Sequence, residues 1–231
     1  MTQELDNPAW SALTTLQAHL AVGGRLAKRY PPDIAPIAGI GQGDHRGIDE
    51  LCTLLPNGDV LSLPATLEEL GPLMPASVKI TIQKRLVQMV SVQPVETTPT
   101  SVNVSILSEA DVPEMLSLTE LTHPGPFRPR TYTMGTYLGI RLGGRLVAMA
   151  GQRMHLPGWR EISAVCTHPT VQGRGYARVL ITRVAAAIRD EGLTPFLHVE
   201  ETNRRAQEVY ASLGFAERKR LPLLVIERAS A

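Results

Sequence analysis

A mixed α/β (α+β) fold is what the sequence predicts, on three observations. From residue 102 onward, short β-branched runs alternate with amphipathic helical stretches. Gly143-Gly144 joins two strand-like segments as a two-residue hairpin turn. A glycine turn, Gln172-Gly173-Arg174-Gly175, stands between a strand pattern and an uninterrupted helical one. The 231 residues suffice for one large domain or two small ones.

Taken in order, Asn7-Pro8 reads as a helix start, with Trp10, Leu13, Leu16 (or Gln17) and Leu20 roughly on one face and Gly23-Gly24 weakening the pattern. "YPPDIAP" must be extended or turning. A short helix over about 47–55 precedes a "PNGD" turn, a strand at 59–63 and another at 85–92. "QPVETTPTS" (93–101) is polar, aperiodic and rich in Pro and Thr, so it reads as a linker. The boundary is accordingly placed between 96 and 97, giving halves 1–96 and 97–231.

Beyond it come a strand at 102–107 and a helix from Ser108 to about 122, opened by a Ser-x-x-Asp cap. "HPGPFRPRTYTMGT" is irregular. The hairpin about Gly143-Gly144 follows, then a strand at 160–167. In the helix after the glycine turn, Ala177, Leu180, Ile181, Val184 and Ile188 share one face, and Gly192 ends it. "PFLHV" (195–199) is a buried strand, 203–214 a helix with Ala206, Val209, Tyr210 and Leu213 on one face, and "FAERKRLPLLVIER" a closing strand.

Composition narrows the function. Hydrophobic residues make up 43% and aromatics 4%, so the core is aliphatic. Lys+Arg number 23 against 22 Asp+Glu, a balance that argues against nucleic acid or an anionic membrane as partner. The start has no signal-peptide pattern, and no apolar run approaches the roughly 20 residues of a membrane span. Two cysteines far apart, Cys52 and Cys166, form neither a disulfide framework nor a metal finger, so a cytoplasmic setting is expected. The six histidines are scattered, and no metal is expected.

Any anionic ligand must therefore be held locally. Strand, glycine turn and helix is the arrangement that binds phosphate at a helix N-terminus, where bare amides converge and the helix dipole is positive. A dinucleotide fingerprint fails, because Arg178 stands where its third glycine belongs. A phosphate loop of the Lys-Ser/Thr type fails, because Tyr176-Ala177 follows the last glycine.

Gln172-Gly173-Arg174-Gly175-Tyr176-Ala177 is a Q/R-x-x-G-x-G/A sequence. With Thr167-His168-Pro169 before it and Asn203-x-x-Ala206-x-x-x-Tyr210-x-x-x-Gly214-Phe215 after it, the segment resembles the GNAT superfamily of acyl-CoA-dependent N-acyltransferases over about 102–228. The resemblance implies a mixed, mostly antiparallel central sheet flanked by helices. It implies acetyl-CoA as co-substrate, its pyrophosphate on the amides of the turn and its pantetheine arm beside strand 160–167 like an added strand. The contacts it implies are Val165, Cys166, Thr167, Gln172, Gly173, Arg174, Gly175, Tyr176, Ala177, Asn203, Ala206 and Tyr210. Glycine N-acyltransferase-like proteins are the preferred branch, with residues 1–96 a smaller, degenerate acyltransferase-like half.

Acyl transfer to an amine needs a base, an oxyanion donor and an acid for the leaving thiolate. Glu161 stands eleven positions before Gln172, the interval of the catalytic glutamate in the histone acetyltransferases of the superfamily. Apolar neighbours are expected to raise its pKa, as suits a base; the alternative is an ion pair with an arginine at a sheet edge. Tyr210 matches the tyrosine that protonates the CoA thiolate. Cys166 is expected as a small buried residue and Asn203 as a CoA contact or a helix cap. Arg128 and Arg130, with Tyr132, form a candidate clamp for the carboxylate of an amino-acid acceptor. The expected activity is acetyl transfer to a small primary amine such as an amino acid, by a monomer or homodimer. A non-catalytic acyl-CoA sensor and a protein lysine or N-terminal acetyltransferase remain alternatives.

Overall fold

The computed structural model describes residues 3–55, 58–93 and 102–229. Asn7 caps α1 (Pro8–Thr14) by accepting from the Trp10 amide, and proline at the first position needs no amide partner. The helix ends at Thr14, short of the expected Leu20. Strands β1 (Val22–Gly23), β2 (Ala27–Arg29) and β3 (Ala38–Ile40) then form a small antiparallel sheet. Asp44 caps α2 (His45–Leu54) through the Gly47 amide. Then come β4 (Val60–Leu63), the short α3 (Leu67–Leu70) and β5 (Val78–Ser91).

After residue 102 the elements are β6 (Val104–Leu107), α4 (Val112–Thr122), β7 (Tyr137–Leu142), β8 (Arg145–Leu156) and β9 (Trp159–Thr167). Next are α5 (Tyr176–Asp190), β10 (Thr194–Glu200), α6 (Arg204–Ser212) and β11 (Phe215–Arg228). The Ser108–Asp111 capping box precedes α4 as its spacing predicts. Gly143 and Gly144 both take positive φ at the β7–β8 turn, which is why that pair is glycine.

Eight strands form one mixed, mostly antiparallel sheet in the order β4-β11-β5-β10-β9-β8-β7-β6, with β9–β10 its one parallel neighbour pair. One face is covered by α5, whose Leu180, Ile181, Val184 and Ile188 pack on Ile140, Ala148, Ile162 and Leu197. On the other face, α4 sets Met115 and Leu118 against Tyr137, Met149 and Cys166. Beside α4, the N-terminal segment lays Leu5, Ala9, Leu13 and Tyr30 on Met154, Leu156 and Phe196. Strand periodicity sorts β10 between the faces: Leu197 and Val199 join the α5 side, Phe196 the other.

This topology corrects the division at 96/97. β5 lies between β10 and β11 and pairs with both, while β4 extends the same sheet beyond β11. The N-terminal hundred residues thus contribute two strands to the common sheet. Among their described residues, the only sheet of their own is the three-stranded β1-β2-β3. Of the expected linker, residues 94–101 lie outside the described residues. No helix among the described residues is long and apolar enough to cross a membrane.

Candidate active site

The parallel pairing of β9 with β10 runs from Trp159↔Thr194 to Ile162↔Leu197 and stops there. Between the β8 pairings Gly151↔Ser163 and Met149↔Cys166, β9 carries a bulge at which Ala164 takes φ +52°. A positive φ at a residue with a Cβ is strained and is tolerated where the surroundings impose it. The bulge bends β9 where β10 parts from it, so residues 163–167 have no β10 partner and the sheet opens into a V.

A cavity of about 430 Å³ continues from that opening. Val165, Cys166 and Thr167 line it from β9, and Gln172, Gly173, Gly175, Tyr176 and Ala177 from the turn and first residues of α5. Asn203, Ala206 and Tyr210 close it from α6. Gly173 and Gly175 adopt φ +81° and +79°, and a Cβ built on either meets no atom within 4 Å: the space before the turn is open. No side chain caps α5, so its first amides face that space without a helical partner. Thr167 Oγ1 is buried beside it with no partner among the described residues. Bare amides fit a pyrophosphate, and the free β9 edge fits an extended arm added as a strand.

Of the expected contacts, Arg174 alone is absent from the lining; its side chain is exposed. Val171, Arg178, Ile181, Arg205 and Val209 line the cavity in addition to the expected residues. Two of these carried a legible signal. Arg178 and Arg205 stand in the first turns of α5 and α6, where a cation opposes the helix dipole unless an anion accompanies it. Asn203 serves as the N-cap of α6, accepting from the Ala206 amide at 3.1 Å, and also lines the cavity.

Tyr210 is almost wholly buried, and burial, reinforced by the neighbouring Cys166 thiol, pushes its pKa up to about 12. The phenol therefore keeps its proton at neutral pH and remains a donor. Burial likewise pushes Cys166 up to about 11, which leaves it a protonated thiol and a poor nucleophile.

Glu161 corrects the expectation of a raised pKa. The side chain is 1% exposed, and its oxygens accept from Arg153 Nε at 2.7 Å and Nη2 at 2.8 Å. Burial alone would raise its pKa, but the Arg153 charge and these bonds, with His198, overcome it and hold the carboxyl down at about 2. The pair lies in the middle of the sheet, on β8 and β9, instead of at an edge. His198 Nδ1 sits 2.8 Å from Glu161 Oε1. Gln88 Oε1 accepts from Arg218, and Gln88 Nε2 donates to the Leu5 carbonyl, so Nε2 also donates to His198 Nε2 at 3.1 Å. That fixes the imidazole tautomer: Nδ1–H donates to Glu161. The carboxylate is thus ionised and engaged by both Arg153 and His198.

The acceptor clamp is corrected as well. Arg128 is paired with Asp59 at 2.6 Å and Arg130 with Asp33 at 3.1 Å, both acids of the N-terminal half. Tyr132 packs beside the α4 core. None of the three lines the cavity at the glycine turn; the two arginines fasten the 124–130 loop to the N-terminal segment. Among the described residues, no three His, Cys, Asp or Glu side chains come together as a metal site.

Comparison with known proteins agrees with this geometry. Residues 137–221 match the family described as FR47-like protein. A crystal structure from Novosphingobium aromaticivorans, classed as a GNAT-family acetyltransferase, is 33% identical, with 98% of this chain and 99% of that one covered at a TM-score of 0.87. A GCN5-related N-acetyltransferase from Kribbella flavida shares the fold at 15% identity, 96% coverage of both chains and a TM-score of 0.63. A mycothiol acetyltransferase of Thermomonospora curvata is 38% identical over 82 residues, which are 35% of this chain and 27% of that protein. The match thus spans about a quarter of that curated relative.

Proposed function

The chain belongs to the GNAT family of acetyltransferases, and from that premise we propose that it moves an acetyl group from acetyl-CoA to a small primary amine. The observation that carries the reading is the continuous groove from the free edge of β9 to the bare amides of the glycine turn, with the Tyr210 ring along its wall. In this reading the turn and the arginines of the first helical turns hold the phosphates. The arm lies along residues 163–167, which brings the thioester toward the bulge at Ala164.

The amine nitrogen attacks the thioester carbonyl carbon, and the C–S bond breaks as the C–N bond forms. The sulfur departs with the bonding electron pair and takes a proton from the Tyr210 hydroxyl, which recovers one from solvent. The amine gives up its proton to water, because Glu161 is committed to Arg153. Cys166 remains a spectator, so the acetyl group passes directly. A small acceptor is favoured because the N-terminal segment covers the sheet face beside α4, where a protein substrate would need open access.

A thiol-release assay with acetyl-CoA and a panel of amino acids, alkylamines, polyamines and peptides tests the proposal. Release that depends on a small amine is the expected result. Tight acetyl-CoA binding without release for any amine would replace catalysis by a sensor role.

A further inference from the structure

On the sheet face covered by the N-terminal segment, side chains two positions apart on paired strands point the same way. On β10 these are His198 and Glu200, opposite Gln88 and Leu86 of β5. Beside them lies a small chamber of about 90 Å³. Its floor is Leu86, Met154, Leu221 and Leu223. Opposite these, the N-terminal half supplies Pro8, Ala9, Ile37, Ser62 and Pro64. Only Arg153 and His198 bring charge or titratable groups to it, and Arg153 is neutralised by Glu161.

Pro126 closes the chamber on one side, and its neighbours Gly125 and Phe127 line a second, polar hollow of about 470 Å³. That hollow holds Glu120, His123, Glu200 and Lys84. Lys84 and Glu200 pair with each other, so Glu120 adds an uncompensated carboxylate to this hollow beside His123. His198, in the chamber wall, follows Leu197, the last residue of β10 paired with β9, so this wall residue stands where the two strands part.

We propose that the N-terminal half walls an acceptor chamber that selects a primary amine carried on an apolar body and lacking a carboxylate. The proposal rests on the acetyl-transfer reading above. The acidic hollow on the far side of Pro126 attracts the ammonium form. Entry of the apolar body between Ala9, Leu86 and Leu223 then strips water from the nitrogen, and burial favours its neutral, nucleophilic form. This supplies the free amine that a fully paired Glu161 cannot generate. A carboxylate would meet no uncompensated cation among the lining residues: the Arg153 charge is offset by Glu161, which takes Nε and Nη2, while Arg128 and Arg130 are paired outside the chamber.

The test uses n-alkylamines from methylamine to pentylamine, with glycine for comparison. Each methylene buried should raise kcat/KM about fourfold until the chamber is full, with glycine far below propylamine. Leu223→Trp and, as a second variant, Ser62→Leu fill the chamber from two sides. Either should flatten the series while acetyl-CoA affinity and the melting temperature stay near wild type. Titration calorimetry of the same amines into CoA-loaded protein reads the chamber without turnover, and should show the same rise with length. A flat wild-type binding series, or variants that keep the rise, would overturn the chamber even in an active enzyme. A rising binding series without thiol release would support the chamber and overturn the acetyl-transfer reading instead.

Discussion

Replacing Glu161 by glutamine separates a structural carboxylate from a catalytic one. The substitution keeps the shape and removes the charge, leaving the Arg153 guanidinium, which is 11% exposed, without a counter-ion. Breaking one side of a buried ion pair costs about 3–5 kcal/mol. The titration points the same way: a carboxyl held near 2 against an ordinary 4.5 is stabilised by roughly 3 kcal/mol in its charged form. For a chain of this length, that corresponds to a fall in melting temperature of about 6–20 °C. The sign of the pH effect follows from the depressed value. The contribution is fully present above pH 4.5 and drains away as the pH falls toward 2, so the wild-type-minus-mutant difference should shrink over that interval. Urea denaturation of both proteins between about pH 7 and pH 2.5 measures it. A Glu161→Gln variant as stable as wild type at neutral pH, with turnover lost, would refute the structural assignment and restore Glu161 as the base.

Four further outcomes follow from the groove. Gly175→Asp places a carboxylate before the turn and a Cβ on a backbone at φ +79°, so acetyl-CoA affinity should fall at least ~10-fold by calorimetry in a folded protein. Arg178→Ala and Arg205→Ala should each weaken acetyl-CoA binding and make it less sensitive to salt, as Kd measured from about 50 to 500 mM NaCl would show; an unchanged salt slope excludes phosphate contact. Tyr210→Phe should melt like wild type and bind acetyl-CoA normally, yet lose kcat by about 100-fold, since the hydroxyl matters as the thiolate departs. Undiminished turnover would remove Tyr210 from the chemistry. Titration should saturate near one CoA per chain, because the N-terminal segment offers no second turn of this kind among its described residues; two sites would contradict that.

Local signals made the groove legible. Glycines at 173 and 175, the strand before them and the helix after them are contiguous in the chain, so their spacing suffices to place bare amides at a helix start. The Asn203 cap, the Gly143-Gly144 turn and the Ser108–Asp111 box were readable for the same reason: each contact spans at most a few residues. The bulge at Ala164 was not. Alanine gives no sign of a left-handed backbone, and the strain is imposed by pairing with β8, which strand periodicity cannot reveal.

The errors share that origin, and they bear on how the activity is built. Apolar neighbours along the strand led to an expected rise in the Glu161 pKa, but the groups that lower it are Arg153, eight positions earlier, and His198, on another strand. Arg128 and Arg130 looked free because Asp59 and Asp33 lie far away in sequence. A strand residue's electrostatics are set by its cross-strand neighbours, at distances of about 5 Å, and those follow from strand order. Strand order was the part hidden here, since β5 inserts between β10 and β11. That insertion also carries Gln88 to His198, and through it to Glu161. The N-terminal half thereby reaches Glu161 through a relay of two hydrogen bonds, so its electrostatic surroundings are completed by a strand some seventy positions away in sequence.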